Sequence, residues 1–156
     1  MRLMGYLGIW LVAVVTVSPA QTAAERDVLA VVRRLFDGMR AGDSTVVRSV
    51  FDANARLVSV GVRDGQPSTR VTSTDEFVAA VGRPHDAVWD ERIWDSEVRV
   101  DGNLASVWTK YAFYVGDRFS HCGVDAFHLV RRANGWMIID LADTRRQEGC
   151  WTPPSR

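Results

Sequence analysis

The stretch from Phe119 to Val130, FSHCGVDAFHLV, holds two of the chain's three histidines, one of its two cysteines and an aspartate. On a helix, His121, Asp125 and His128 would fall at i, i+4 and i+7 on one face and form a metal site. Turn signals on both sides, Gly116-Asp117-Arg118 and Ala133-Asn134-Gly135, make the segment a strand instead. Alternation then sets His121, Gly123, Asp125 and Phe127 on one face and Cys122, Val124, Ala126 and His128 on the other. No metal and no cofactor is expected, because zinc sites take three or four protein ligands and this strand can offer two.

His121 and Asp125 lie about 13 Å apart on such a strand, too far for one hydrogen bond but suited to lining one pocket from two ends. Pairing the hairpins through their turns sets Phe113 opposite His121, Tyr111 opposite Gly123 and Thr109 opposite Asp125. The candidate catalytic residues are therefore Asp125, His121 and Tyr111, and the candidate ligand-pocket residues are Phe113, Phe127 and Trp108. An aspartate among aromatic rings has its pKa raised by desolvation, which suits a general acid or base. The alternative stays open: an arginine partner or backbone donors would make Asp125 a structural group. His128, facing away and near Asp140 across the strand pair, is expected to serve packing. The tryptophans either wall a hydrophobic pocket or fill the core of a curved sheet. Arg145 and Arg146, just past the last strand, either meet an anionic ligand or stand in solvent.

The elements that must position these residues follow from the period of the apolar pattern. Val28, Val31, Val32, Leu35, Phe36 and Met39 recur at helical spacing between Glu25 and Arg40, and Gly42 ends the run. A second short helix carries Val46, Val47, Val50 and Phe51, and strand-like alternation runs from Ala55 to Val62 until Asp64-Gly65. Ser73-Thr-Asp-Glu76 is a capping box opening a third helix. After Pro84 four strands are expected, Trp89–Val100, Leu104–Val115, Phe119–Val130 and Trp136–Thr144, with a bulge near Asp95 where the apolar parity slips. The expected class is α+β: three N-terminal helices, then four hairpin-linked strands in a strongly bent, mostly antiparallel sheet.

At 156 residues the chain has the size of one domain. Residues 1–20 read as a signal peptide, with a fifteen-residue apolar run from Leu3 to Val17 followed by Ser18-Pro19-Ala20. That run is shorter than a comfortable membrane span, so an exported protein, periplasmic or extracellular, is expected, with a domain over 21–150 and a short tail over 151–156; the alternative is that the run is kept as an N-terminal anchor. In an oxidising compartment Cys122 and Cys150 are expected to pair as a disulfide across a separation of 28 residues, with two free thiols as the alternative. The 19 basic residues balance the 19 acidic ones, which argues against a nucleic-acid partner.

The segments MRAGDSTVVRSVFDANARLVSV and DAFHLVRRANGWMIIDLADTR, with the element order around them, resemble the NTF2-like superfamily and its SnoaL-like and DUF4440 branches over roughly residues 25–147. The resemblance implies a cone-shaped α+β fold in which a curved sheet and a long first helix enclose a pocket, often as a homodimer. The superfamily includes ketosteroid isomerase, scytalone dehydratase and limonene epoxide hydrolase beside non-catalytic ligand-binding and assembly modules. Asp125-Ala126-Phe127 matches the placement of the SnoaL-like pocket aspartate, whereas the first helix lacks the tyrosine that the isomerases use. Three functions are compatible with this: a binder of a small, mostly apolar molecule, a cofactor-independent isomerase, dehydratase or cyclase using Asp125, and a dimeric interaction module. The disulfide has a direct check: reduction of the folded protein is expected to raise its mass by two hydrogens, and an unchanged mass would leave both cysteines as thiols.

Overall fold

The computed structural model describes residues 21–154. The expected signal segment, residues 1–20, lies outside the described residues, as do the last two residues of the tail. Helix α1 spans Ala23–Ala41, and a capping box starts it: the Thr22 hydroxyl accepts from the Glu25 N–H, and Glu25 Oε2 accepts from the Thr22 N–H at 2.7 Å. Gly42 stops it in the left-handed conformation, φ 65°. The apolar stripe Val28, Val32, Leu35, Phe36 and Met39 is buried as the spacing predicts. A short α2, Ser44–Val50, capped by Asp43, packs against α1 so closely that a side chain at Gly38 would meet Val46 and Val47 at 2.9 Å.

The chain then forms β1, Phe51–Arg63, and β2, Gln66–Ser73, joined by the turn Asp64-Gly65 with both residues at positive φ. Helix α3, Thr74–Val81, follows, and β3, Trp89–Asp101, β4, Leu104–Val115, β5, Arg118–Arg132, and β6, Gly135–Thr144, complete one sheet of order β2-β1-β6-β5-β4-β3. All neighbouring strands are antiparallel except β1 and β6. The class is α+β, but the expected run of three helices followed by four strands needs correction. A two-stranded hairpin stands between α2 and α3, and Phe51 opens β1 rather than closing α2. The strand the sequence reading omitted, β2, is polar and carries Pro67 because it lies at the sheet edge, where one set of backbone groups needs no partner and no apolar face is required.

At the opposite edge β3 carries a bulge: the register with β4 shifts between Trp94 and Glu97, and Asp95 sits at φ 51°. The core is a single cluster in which the α1 stripe meets Val107, Phe127, Leu129 and Ile138 of the sheet, with Phe36 and Phe127 edge to face at 6.1 Å. Cys122 and Cys150 form a disulfide, Cα–Cα 5.9 Å, that draws the C-terminal segment back onto β5. The chain past β6 also pairs with Cys122 through its Arg146 backbone.

Where the end of β6 meets β5, a Cβ added at Gly123 would lie 1.8 Å from the Thr144 carbonyl oxygen and 2.8 Å from the Tyr111 ring. Neither neighbour is a free side-chain end that can swing away. Gly123→Ala is expected to destabilise the protein by at least the ~1–3 kcal/mol of ordinary overpacking; chemical denaturation reads this, and an unchanged midpoint would contradict the packing described.

Candidate functional site

The strand register puts Phe113 opposite His121, Tyr111 opposite Gly123 and Thr109 opposite Asp125. Asp125 and Phe127 are buried on the sheet face that α1 covers, and Tyr111 and Thr109 are buried beside them. On β6 the partner of Asp125 is Asp143. On β3 the partner of Phe113 is Glu91, which lies between Trp89 and Ile93 on the same side of the strand. Three acidic residues from three strands thereby share one interior, with Arg145 beside them.

The arginine expected as the structural alternative does not neutralise Asp125. Arg145 is held by Asp143, with Nε 2.7 Å from Oδ2. Asp143 also accepts from the Ser59 hydroxyl at 2.7 Å, so that carboxylate is well served. Asp125 is 2% exposed, and with both it and Glu91 ionised its Oδ2 would have no donor at all. A proton on the pair supplies one. Burial, reinforced by the charges of Glu91 and Asp143 and by the hydrogen bond to Glu91, holds the Asp125 carboxyl well above the usual range. Burial likewise pushes Glu91 up to about 7, while its bond to Asp125 pulls the other way. The two carboxyls therefore titrate as a unit and keep a proton between them near neutral pH.

The surrounding polar groups are arranged around that proton. Burial, with the nearby carboxylates adding to it, raises the Tyr111 phenol, which stays protonated and donates to the Thr144 carbonyl at 2.8 Å. His121 is lowered by burial and then by Arg145, so its ring is neutral; it stacks on Phe113 at 5.0 Å and has Nδ1 3.0 Å from the Ser120 hydroxyl. A cavity of about 530 Å³ opens where α1 passes β3, and its wall includes Glu91, Phe36, Ile93 and Trp94, closed on one side by Pro153 and Pro154 of the tail. Glu91 thus links the cavity to buried Asp125.

Of the residues singled out by sequence, Asp125, Tyr111, His121, Phe113 and Phe127 are brought to one interior. Trp108 is not, and its assignment to the pocket is corrected: it stands on the other face of β4, 54% exposed, because it is one residue out of phase with Val107 and Thr109. His128 also faces out, with Nδ1 3.6 Å from Asp140. Glu91 was overlooked, although the parity of Trp89 and Ile93 already placed it inward. Among the described residues no group of three or more histidine, cysteine or acidic side chains is arranged to hold a metal ion.

The fold is NTF2-like. The chain belongs to the family described as "Putative lumazine-binding", whose model matches residues 23–141. Among solved structures it is similar to an NTF2-like protein with a cystatin-like fold from Novosphingobium aromaticivorans, at TM-score 0.64 and 10% identity over 81% of this chain and 84% of that one. It is also similar to an NTF-2-like protein of unknown function from Silicibacter pomeroyi, at TM-score 0.58 and 20% identity, covering 81% of this chain and all of the other, 100%. A third is described as a "putative dehydratase from the NTF2-like family" from Streptomyces avermitilis, at TM-score 0.58 and 16% identity over 79% and 96% of the two chains. No curated protein matches the sequence.

A raised carboxyl pKa has a definite thermodynamic sign. Above the unfolded-state value near 4 the folded protein holds more protons than the unfolded chain, so stability contributed by the pair falls as pH rises through the folded values. Asp90 acts oppositely: burial raises it, but hydrogen bonds from Arg40 and Arg92 outweigh that and hold it low, so its contribution is lost only as pH falls through the folded value. Unfolding free energy is expected to decline between about pH 5 and 8, and Asp125→Asn is expected to flatten that decline. Denaturant titrations across the range check it, and a wild-type slope of opposite sign would show the pair to be fully ionised.

Proposed function

We propose that the protein is an exported ligand-binding domain that takes a small, largely apolar molecule into the cavity between α1 and β3, with the Glu91–Asp125 pair presenting a proton at its inner wall. The observation that carries this reading is the buried Asp125 Oδ2, which has no hydrogen-bond partner among the described residues, beside a second carboxyl that lines the cavity. The volume of about 530 Å³ lies within the roughly 300–1,000 Å³ of small-molecule sites. The family's description points in the same direction, toward a small organic ligand. Export is supported by the apolar segment ahead of residue 21 and by the disulfide. A homodimer would bury the outer sheet face, on which Leu104 and Trp108 are each 54% exposed.

The second reading is an enzyme of the isomerase, dehydratase or cyclase kind, and the same shared proton favours it. A carboxyl pair poised near neutrality both gives and takes a proton at physiological pH. Asp125 and Glu91 would move the proton. Tyr111 already spends its hydroxyl hydrogen on Thr144, which leaves Nε2 of His121, without a partner among the described residues, to steady developing charge.

Both readings meet in one experiment: carbon-detected NMR of the Glu91 and Asp125 carboxyls during titration with a panel of apolar heterocycles and carbonyl compounds. Ligand binding is expected to move both resonances together. Asp125→Asn is expected to weaken binding, and to abolish any turnover, while its melting temperature stays within a few degrees. Carboxyl signals that no ligand disturbs, or a variant that unfolds, would assign the pair to the architecture alone.

A further inference from the structure

Three arginines line the cavity, and two of them are spent. Arg40 has Nε 2.8 Å from Asp90 Oδ1 and its terminal nitrogen 2.8 Å from Asp37. Arg92 has Nε 2.8 Å from Asp90 Oδ2, and its guanidinium lies 4.0 Å from the centre of the Tyr114 ring. Arg33 has no acidic partner and no hydrogen bond among the described residues. It sits on α1 seven residues before Arg40, about 10 Å along the helix axis. Arg40 marks the end of the cavity at Asp90, the residue next to Glu91. Between the two ends the wall is mostly apolar, made by Phe36, Ile93 and Trp94 with Pro153 and Pro154; Asp37, on α1 between the two arginines, is the acidic exception and is paired with Arg40.

The cavity therefore has two polar ends of different chemistry. One end is a guanidinium with its donors unused, a fork that matches the two oxygens of a carboxylate or similar oxyanion. The other is a proton-carrying acid pair that suits a carbonyl or hydroxyl oxygen. We infer that the ligand is an elongated organic monoanion, with its anionic group on Arg33, an apolar body over Phe36, Ile93 and Trp94, and the far end, about 10 Å away, at Glu91. This rests on the binding reading above and names the class of molecule that the site selects. Arg145 and Arg146 are not the anion seat: the first is bound to Asp143, and the second stacks on Trp151 at 4.5 Å.

A matched pair of probes separates the charge from the shape. Naphthaleneacetate and naphthaleneacetamide have the same apolar body and differ in the anionic group, and calorimetry on the full chain measures both. The acid is expected to bind about tenfold more tightly, or 1.4 kcal/mol. Arg33→Gln is expected to bring the acid down to the affinity of the amide while leaving the amide unchanged. Arg33→Lys is expected to keep part of the preference, and Arg34→Gln, whose side chain lines a different cavity, all of it. Equal binding of acid and amide by the unaltered protein, or a preference that survives Arg33→Gln, would overturn the inference and leave the binding reading standing. Absence of binding by either probe would overturn both.

Discussion

A carboxyl group taken out of water must find a counter-charge or keep its proton, and the interior of this protein is organised around that choice at Asp125. Arg145, the arginine whose charge reaches Asp125, is already held by Asp143, itself served by Ser59. The group that bonds to Asp125 is a second carboxyl, Glu91. Two like charges at close quarters in a dry site cannot both be ionised, so the pair retains a proton. Each surrounding element contributes to this state. β4 supplies the Tyr111 ring, β5 the aspartate, β6 the ion pair that occupies Arg145, and α1 the apolar cover that excludes water.

The C-terminal segment completes the enclosure from the other side of the sheet. The disulfide to Cys122 draws it onto β5, and Trp151 lies between two cations, 5.1 Å from Lys110 and 4.5 Å from Arg146. This covers a sheet face that would otherwise expose Cys122 and Val124, both buried here. The same segment then brings Pro153 and Pro154 to the wall of the cavity at the β3 edge. A close approach on the inner face explains the glycine between His121 and Asp125. The end of β6, at Thr144, runs where a Cβ would project, so Gly123 admits the chain rather than a ligand.

Much of the site was legible because strand alternation is a strict rule once turns are placed. The turn at Gly116-Asp117-Arg118, counted as three residues, sets Phe113 opposite His121 and so groups Asp125, Tyr111, His121 and Phe113; the structure reaches the same register by a tighter turn, Val115 pairing with Arg118, and a bulge beside Phe113. Trp108 shows the limit of reading by residue type, since size and aromaticity suggested a pocket wall while its parity placed it outside. Glu91 was equally legible by parity and was passed over because an acidic residue between Trp89 and Ile93 reads as the solvent face of an edge strand. β2 was missed because an edge strand beside a polar turn needs no apolar pattern.

The sequence by itself determined the helices, their caps, the four closing strands, the bulge at Asp95 and the pairing of the two cysteines, because each depends on local backbone preference, side-chain period or a count of two. Only the tertiary structure decided whether Asp125 met an arginine or an acid, and which arginine of the cavity was left without a partner. Those outcomes depend on which side chains from α1, β3, β5 and β6 arrive at the same point. Long-range packing of the helix across the sheet sets that arrangement, and no local pattern encodes it.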